Sequence, residues 1–247
     1  LKSIDDGAFS GMPSLTGKIT IPQSITEIPN HLFNGCSGLK SLTLHNGITS
    51  VGSWAFQGCG FRGELALPEG LTYIGIAAFE SCSFTGQLVI PKSVSIINKN
   101  AFCSNHNISG ILEIPGKIVS IGENAFGDCG NIEGLIIPDG LETIPRGAFL
   151  GCYGINRIVC KGTIPPKIQS NAFAGVPKDN FTVEVPESAV AQYQTAKGWN
   201  EFKRISAYRN LVIRPSVASA LNTKTTRELI LDADDEWEVE SMPGWVT

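Results

Sequence analysis

The sequence predicts a repeat solenoid: a coil of stacked units with a parallel β-sheet, short helical turns and a C-terminal cap, followed by a β-rich tail. Three observations predict it. Phenylalanine returns at Phe9, Phe33, Phe56, Phe79, Phe102, Phe126, Phe149 and Phe173, at intervals of 23 or 24 residues. Cysteine follows three residues behind it at Cys36, Cys59, Cys82, Cys129 and Cys152. Proline closes an apolar run at Pro22, Pro68, Pro91, Pro115 and Pro138. A unit of about 23 residues is too small to enclose its own apolar face, so neighbouring units must stack to bury it.

Within a unit the elements follow one another in a fixed order, as in Leu71-Thr72-Tyr73-Ile74-Gly75, Ala78-Phe79, Cys82 and Leu88-Val89-Ile90-Pro91. Leu71/Ile74 and Leu88/Ile90 bracket two short β-type segments, and Ala-Phe between them predicts a compact turn or a single helical turn. Proline ends pairing at the following corner because it lacks an N–H; His45 stands in that place in one unit. Gly52, Gly75 and Gly122 close the first segment, while Gly63, Gly86, Gly110 and Gly134 precede the second. These positions call for positive φ or for close approach between coils. With one rung per strand spacing of about 4.8 Å, eight coils make a rod or gentle arc on the order of 40 Å long, with the sheet along one side. The five in-phase cysteines point the same way into the core and are expected to be free thiols acting as small hydrophobes. Side chains fixed in parallel on adjacent rungs poorly match the crossed geometry of a disulfide. Cys103 and Cys160 fall off this register.

The pattern Ile118-Ile121-Gly122-Ala125-Phe126-Cys129-Ile132-Leu135-Ile137-Pro138 resembles the BspA-like leucine-rich repeat family, over residues 1 to about 206. The resemblance implies a right-handed leucine-rich-repeat-like coil. It also implies a non-catalytic, adhesin-like protein of the bacterial surface or exterior that binds host or matrix proteins. His31-Leu32 departs from the usual Asn-Ala, and Cys103 with Asn105-His106-Asn107 disturbs the fifth unit. Val183-Glu184-Val185-Pro186 leads into 187–198, where Val190, Tyr193 and Ala196 or Lys197 share a helical face and Gly198 suits its end. With Trp199, Phe202 and Ile205, residues 181–206 read as a cap sealing the open end. Beyond it Leu211–Pro215, Arg227–Leu231 and Glu236–Glu240 read as strands, and the 207–247 tail resembles the N-terminal half of a BACON β-sandwich, with Trp237 and Trp245 as its tryptophans.

Composition excludes several classes of function. A net charge of −4 with scattered Lys and Arg offers no basic field for nucleic acid or an anionic membrane surface. No run reaches the roughly 18 apolar residues of a spanning helix. The chain opens inside a repeat, at Leu1-Lys2-Ser3-Ile4, which implies a trimmed leader or sequence upstream. Gly58-Cys59-Gly60-Phe61-Arg62-Gly63 spells a dinucleotide motif without the strand and helix it requires. Asp232–Glu236 lacks the glycine and distal glutamate of a calcium loop. His31, His45 and His106 occupy different columns, and no CxxC, HExxH or nucleophile elbow accompanies them. No cofactor and no metal is expected. Asn107-Ile108-Ser109 and Asn180-Phe181-Thr182 match glycosylation sequons.

The informative positions are therefore those the repeat leaves outside. In the second segment the residue between the two anchors points outward, giving the column Thr20, Thr43, Ala66, Val89, Glu113, Ile136 and Val159. Small and β-branched residues there satisfy strand propensity, or form a flat docking strip for an extended partner. Thr43, Ala66, Val89, Glu113, Ile136 and Val159 are the candidate binding residues on that strip. Trp54, Phe61, Tyr73 and Phe84 depart from the consensus and either stand exposed or pack between loops; Trp54 and Tyr73 complete the candidate set. The expected partner is a protein; the alternative is a glycan bound through the sheet face or the tail, where Trp237 and Trp245 are sugar platforms or sandwich core. An enzyme is disfavoured because no acid, base, nucleophile or metal constellation is visible.

Overall fold

The structure, a computed structural model, describes residues 3–208. The chain divides after Tyr208, and the BACON-like tail, the tail glycan platforms at Trp237 and Trp245, and the acidic run at 232–236 lie outside the described residues. Residues 3–208 form eight coils, one for each repeat phenylalanine, followed by the cap.

The coils build two parallel ladders, where the sequence led us to expect a sheet on one side. The long ladder joins Gly86–Gln87, Ile108–Glu113, Asn131–Ile137, Arg157–Cys160, Val183–Val185 and Ile205–Ala207; Gly17–Thr20 pairs separately with Leu39–Thr43. The short ladder is built of two-residue strands: Glu27–Ile28, Ser50–Val51, Tyr73–Ile74, Ile96–Ile97 and Ser120–Ile121 in one run, then Thr143–Ile144 with Lys167–Ile168. Alternation fixes the inward side. Leu112, Ile114, Leu135, Ile137, Ile158 and Cys160 are all buried, and a slip of one residue would turn them to solvent. The long ladder is interrupted at residues 61–68, where Phe61 stands two residues behind its cysteine instead of the three that separate Cys36 from Leu39 and Cys129 from Ile132. Phe61 and Phe84 are buried and stacked at 5.6 Å, each with an edge against its own coil's phenylalanine. Of the two alternatives open for these rings, packing between coils is the one found.

The third side is the Ala-Phe corner, a hydrogen-bonded turn rather than a helix. Here the Phe33, Phe79 and Phe126 amides donate to the carbonyls of Ala55, Ala101 and Ala148 at 2.7 to 3.0 Å, so coils are bonded at the corner as well as along the ladders. Phe9 to Phe173 make one continuous stack, with neighbouring centroids 5.2 to 5.9 Å apart and ring planes within 15°. The offset-stacked arrangement suits the quadrupoles of the rings. Beside it runs a thiol column in which Cys36, Cys59, Cys82, Cys129 and Cys152 donate to the carbonyl of the preceding coil's phenylalanine at 2.9 to 3.2 Å. In the fifth coil Asn105 takes that place, and its Nδ2 donates to Phe79 at 2.7 Å and Phe102 at 2.9 Å. The departure seen in the sequence is thus a substitution that keeps the bond. All seven cysteines are free, and the five in-phase ones are buried.

The glycines divide between the two demands. A Cβ on Gly52 or Gly75 would stand 2.7 or 2.6 Å from backbone of the preceding coil, whereas Gly63, Gly86 and Gly110 have φ of 81°, 79° and 76°. Two residues before each phenylalanine the chain is left-handed whatever the side chain: Gly7, His31, Trp54, Ala77, Asn100, Asn124, Gly147 and Asn171 all have φ between 51° and 67°. Asn and Gly adopt that conformation readily and Trp does not.

The cap does more than cover the end. Val183–Val185 and Ile205–Ala207 add two rungs to the long ladder. Between them a short helix, Val190–Thr195, buries Tyr193, whose hydroxyl donates to the Gly162 carbonyl at 3.1 Å. Trp199 and Phe202 meet Phe173 at 6.0 and 5.6 Å, tilted and edge-on, which ends the stack on faces no further ring can continue. The Trp199 indole N–H donates to Pro166 at 2.8 Å, so the buried ring carries no unpaired donor.

Candidate binding surface

The candidate residues fall on three sides of the coil. Thr43, Ala66, Val89, Glu113, Ile136 and Val159 lie along the long ladder or its gap, Trp54 at the corner and Tyr73 on the short ladder. Thr43, Ala66 and Val89 are exposed, Val89 to 62%. Among the described residues no ion pair covers them. Glu113 is exposed and paired with Lys161 at 3.2 Å. Val159 is half-buried.

Ile136 corrects the sequence expectation, because it is only 3% exposed. It lies in register between Glu113 and Val159, and the Glu113–Lys161 pair crosses the strand that carries it. The aliphatic stem of a lysine reaching over a neighbour covers apolar surface while its head stays in water. Arg157 and Glu184 make a second pair at 3.3 Å on the same part of the face. The strip therefore changes character along its length: open and small at Thr43, Ala66 and Val89, roofed by charge from Glu113 onward.

Trp54 is half-buried and stacks on His31 at 4.8 Å with planes 9° apart. Tyr73 is exposed and sits in register between Ser50 and Ile96. Sequence reasoning missed Val119 and Tyr153, which are 79% and 68% exposed. Both had a signal, since Val119 interrupts a column of Thr26, Thr49, Thr72 and Ser95, and Tyr153 a column of Ser37, Gly60 and Ser83.

Burial pushes the Cys59 and Cys152 thiols up to about 12 and raises those of Cys82, Cys129 and Cys160 well above their ordinary value, so they stay protonated and unreactive at neutral pH. Among the described residues no group of His, Cys, Asp and Glu side chains is placed to hold a metal ion. His45 has taken a structural place, its Nε2 3.0 Å from the carbonyls of Pro22 and Ile25 while Nδ1 accepts from the Gly47 amide. No described helix is long and apolar enough to cross a membrane.

Comparison with known proteins agrees with this architecture. The family model of the BspA type leucine rich repeat region matches in six copies, over residues 2–112 and 77–193. Among solved structures, a leucine-rich repeat protein from Bacteroides ovatus superposes with a TM-score of 0.55 at 21% identity, over 83% of this chain and 64% of that one. The pneumococcal vaccine antigen PcpA superposes with a TM-score of 0.52 at 17% identity, over 78% of this chain and 42% of that one. The chain thus spans less than two thirds of the length of either protein. No curated protein matches it.

Proposed function

The chain belongs to the BspA-type leucine-rich repeat family, and on that premise we propose that it is a non-catalytic interaction scaffold of a bacterial cell-surface or secreted protein. It binds a protein ligand through the open part of the long-strand face, at Thr43, Ala66 and Val89, with a separate β-rich module from about residue 207. The observation that carries this is the contrast along the strip. Over the first half the outward side chains are small, exposed and free of ion pairs, while beyond it charged pairs occupy the same column. Small side chains with few rotamers lose little entropy on contact. A solenoid presents such a surface without spending core residues on it. The likeness to a protein described as a vaccine antigen supports an extracellular place.

The test is an array of matrix proteins and glycans, followed by the triple change Thr43→Glu, Ala66→Glu and Val89→Glu. Loss of a protein ligand with the denaturation midpoint unchanged supports the assignment. Binding that survives the triple change puts the surface elsewhere, and capture of glycans alone overturns the protein ligand.

A further inference from the structure

Along the short ladder each strand is bonded to the next by amides in two columns. In one, Gly52 donates to Ile28, Gly75 to Val51, Asn98 to Ile74, Gly122 to Ile97 and Gln169 to Ile144, all at 2.7 to 3.0 Å. The residue of that column in the Phe149 coil is Pro145, which has no N–H for Ile121. The ladder ends there: Ser120–Ile121 is the last strand of its run, and Thr143–Ile144 begins another. Pro29 stands in the same column, and Glu27–Ile28 likewise begins a run. The second column fails at the same place. Thr49, Thr72, Ser95 and Val119 donate to Thr26, Thr49, Thr72 and Ser95, but among the described residues no backbone amide reaches the Val119 carbonyl. Among the described residues two carbonyls at the break, that of Val119 and that of Ile121 in the strand Ser120–Ile121, are left as acceptors.

The break opens a cleft of about 490 Å³ between Ile118–Ile121 and Leu141–Pro145. It is a wedge, because the two coils stay joined elsewhere: Gly134–Ile137 pairs with Arg157–Cys160, and the Phe126 amide bonds Ala148 at 3.0 Å. Its floor is core. Ile118, Ile121 and Leu141 are 8 to 9% exposed, against 5% or less for the short-ladder core residues of coils two to five. The rim carries the exposed Val119, and Glu142 is the one charged side chain lining the cleft.

We propose that this wedge receives an arginine side chain presented by an extended basic segment of a protein partner. A guanidinium is a planar fork of five donors with no acceptor, suited to two neighbouring carbonyls and a carboxylate, and it is weakly hydrated enough to leave water for such a site. Its aliphatic stem lies over Val119, Ile118 and Leu141. A lysine ammonium offers a single compact charge that cannot span the same acceptors in one plane. The wedge is on the short-ladder face, so it stands independently of the long-face strip.

The probes are the peptides Ac-Val-Arg-Val-NH2 and its citrulline and glutamate counterparts, titrated into the whole chain and followed by amide NMR shifts. The arginine peptide is expected to shift the amides of 118–121 and 141–143 saturably, the citrulline peptide to bind about 10-fold more weakly, and Glu142→Gln to cost about the same. Pro145→Asn, which copies Asn98, is expected to supply the missing N–H. The new amide then exchanges slowly, and the peptide-induced shifts disappear while binding through the long face persists. Absence of shifts, equal shifts with the citrulline or glutamate peptide, or shifts that survive a slowly exchanging Pro145→Asn amide would overturn the proposal. So would perturbation of the same amides by raising protein concentration alone, which would mean that a second copy fills the wedge.

Discussion

The two halves of the long-strand face rest on the same core and differ in what stands above it. Beneath both runs the phenylalanine stack, with the thiol column beside it; Phe56 with Phe79 and Phe126 with Phe149 are separated by 5.4 and 5.7 Å. Above the core, Thr43, Ala66 and Val89 are open, whereas Ile136 is covered and Glu113, Lys161, Arg157 and Glu184 are paired. One outward residue type, a β-branched aliphatic, thus has opposite environments at Val89 and Ile136. The difference teaches that facing out of a strand is not the same as facing solvent. Neighbouring rungs decide, because long charged side chains on adjacent strands lie across the column between them.

The comparison breaks most severely if the shared core is unequal. Phe79→Ala and Phe126→Ala are each expected to cost about 3–5 kcal/mol by chemical denaturation, because each leaves a ring-sized cavity in a stack bonded on every side. A loss below about 1 kcal/mol in either half would mean that the stack is not the common foundation. Next in size is the contrast between the two aliphatic positions. Ile136→Asp is expected to cost about 3 kcal/mol, since it buries a carboxylate, while Val89→Asp stays within about 0.5 kcal/mol. Equal effects would erase the distinction between the halves.

A smaller effect separates the coil at the junction. Asn105 is the one buried polar side chain in the described core, and its Oδ1 has no partner. Asn105→Cys restores the column chemistry and is expected to be neutral or to stabilise by about 1 kcal/mol. Destabilisation of that size would show that the second bond, to Phe102, matters more than the orphaned oxygen. The roof itself is expected to contribute least. Lys161→Ala should cost no more than about 1 kcal/mol, and less as salt is raised, because both partners are exposed.

Alkaline stability sharpens the shared-core side of the comparison. The Cys59 and Cys152 thiols are raised by burial from an ordinary value of 9.0 to about 12. A group whose folded pKa lies above its unfolded value contributes stability that is complete below the unfolded value and is lost as pH rises through the folded one. The denaturation midpoint should therefore be flat from pH 7 to about 8.5 and fall between about pH 9 and 12, with a shallower fall in Cys59→Ala and Cys152→Ala alike. Iodoacetamide at pH 8 should label the in-phase thiols only on the timescale of unfolding.

Much of the fold was legible in the sequence because the repeat samples one environment eight times. Phe79, Cys82 and Leu88 could be placed inside without any structure, since chance does not align three apolar columns at one period. Trp199 and Phe202 could be assigned to the cap from the end of the periodicity. The candidate surface was less legible. The column that holds Thr43 and Val89 was found, but the burial of Ile136 was not, and the pair that crosses its strand joins Glu113 to Lys161, 48 residues apart. Phe61 and Phe84 gave no hint of their direction, because one residue of spacing decides whether an aromatic enters the core. Val119 and Tyr153 were visible as column breaks whose meaning depended on the coils beside them.

The sequence by itself determined the period, the inward columns, the free thiols and the stacked architecture, because these follow from local alternation and from the inability of one unit to bury itself. Tertiary structure alone decided that the coils build two ladders, that the long ladder lapses at 61–68 and the short one before Pro145, and that the outward strip is open in one half and roofed in the other. The physical reason is the range of the interactions. Inward burial is set within a unit, whereas pairing and surface cover depend on the fit between residues of different rungs, which no single unit encodes.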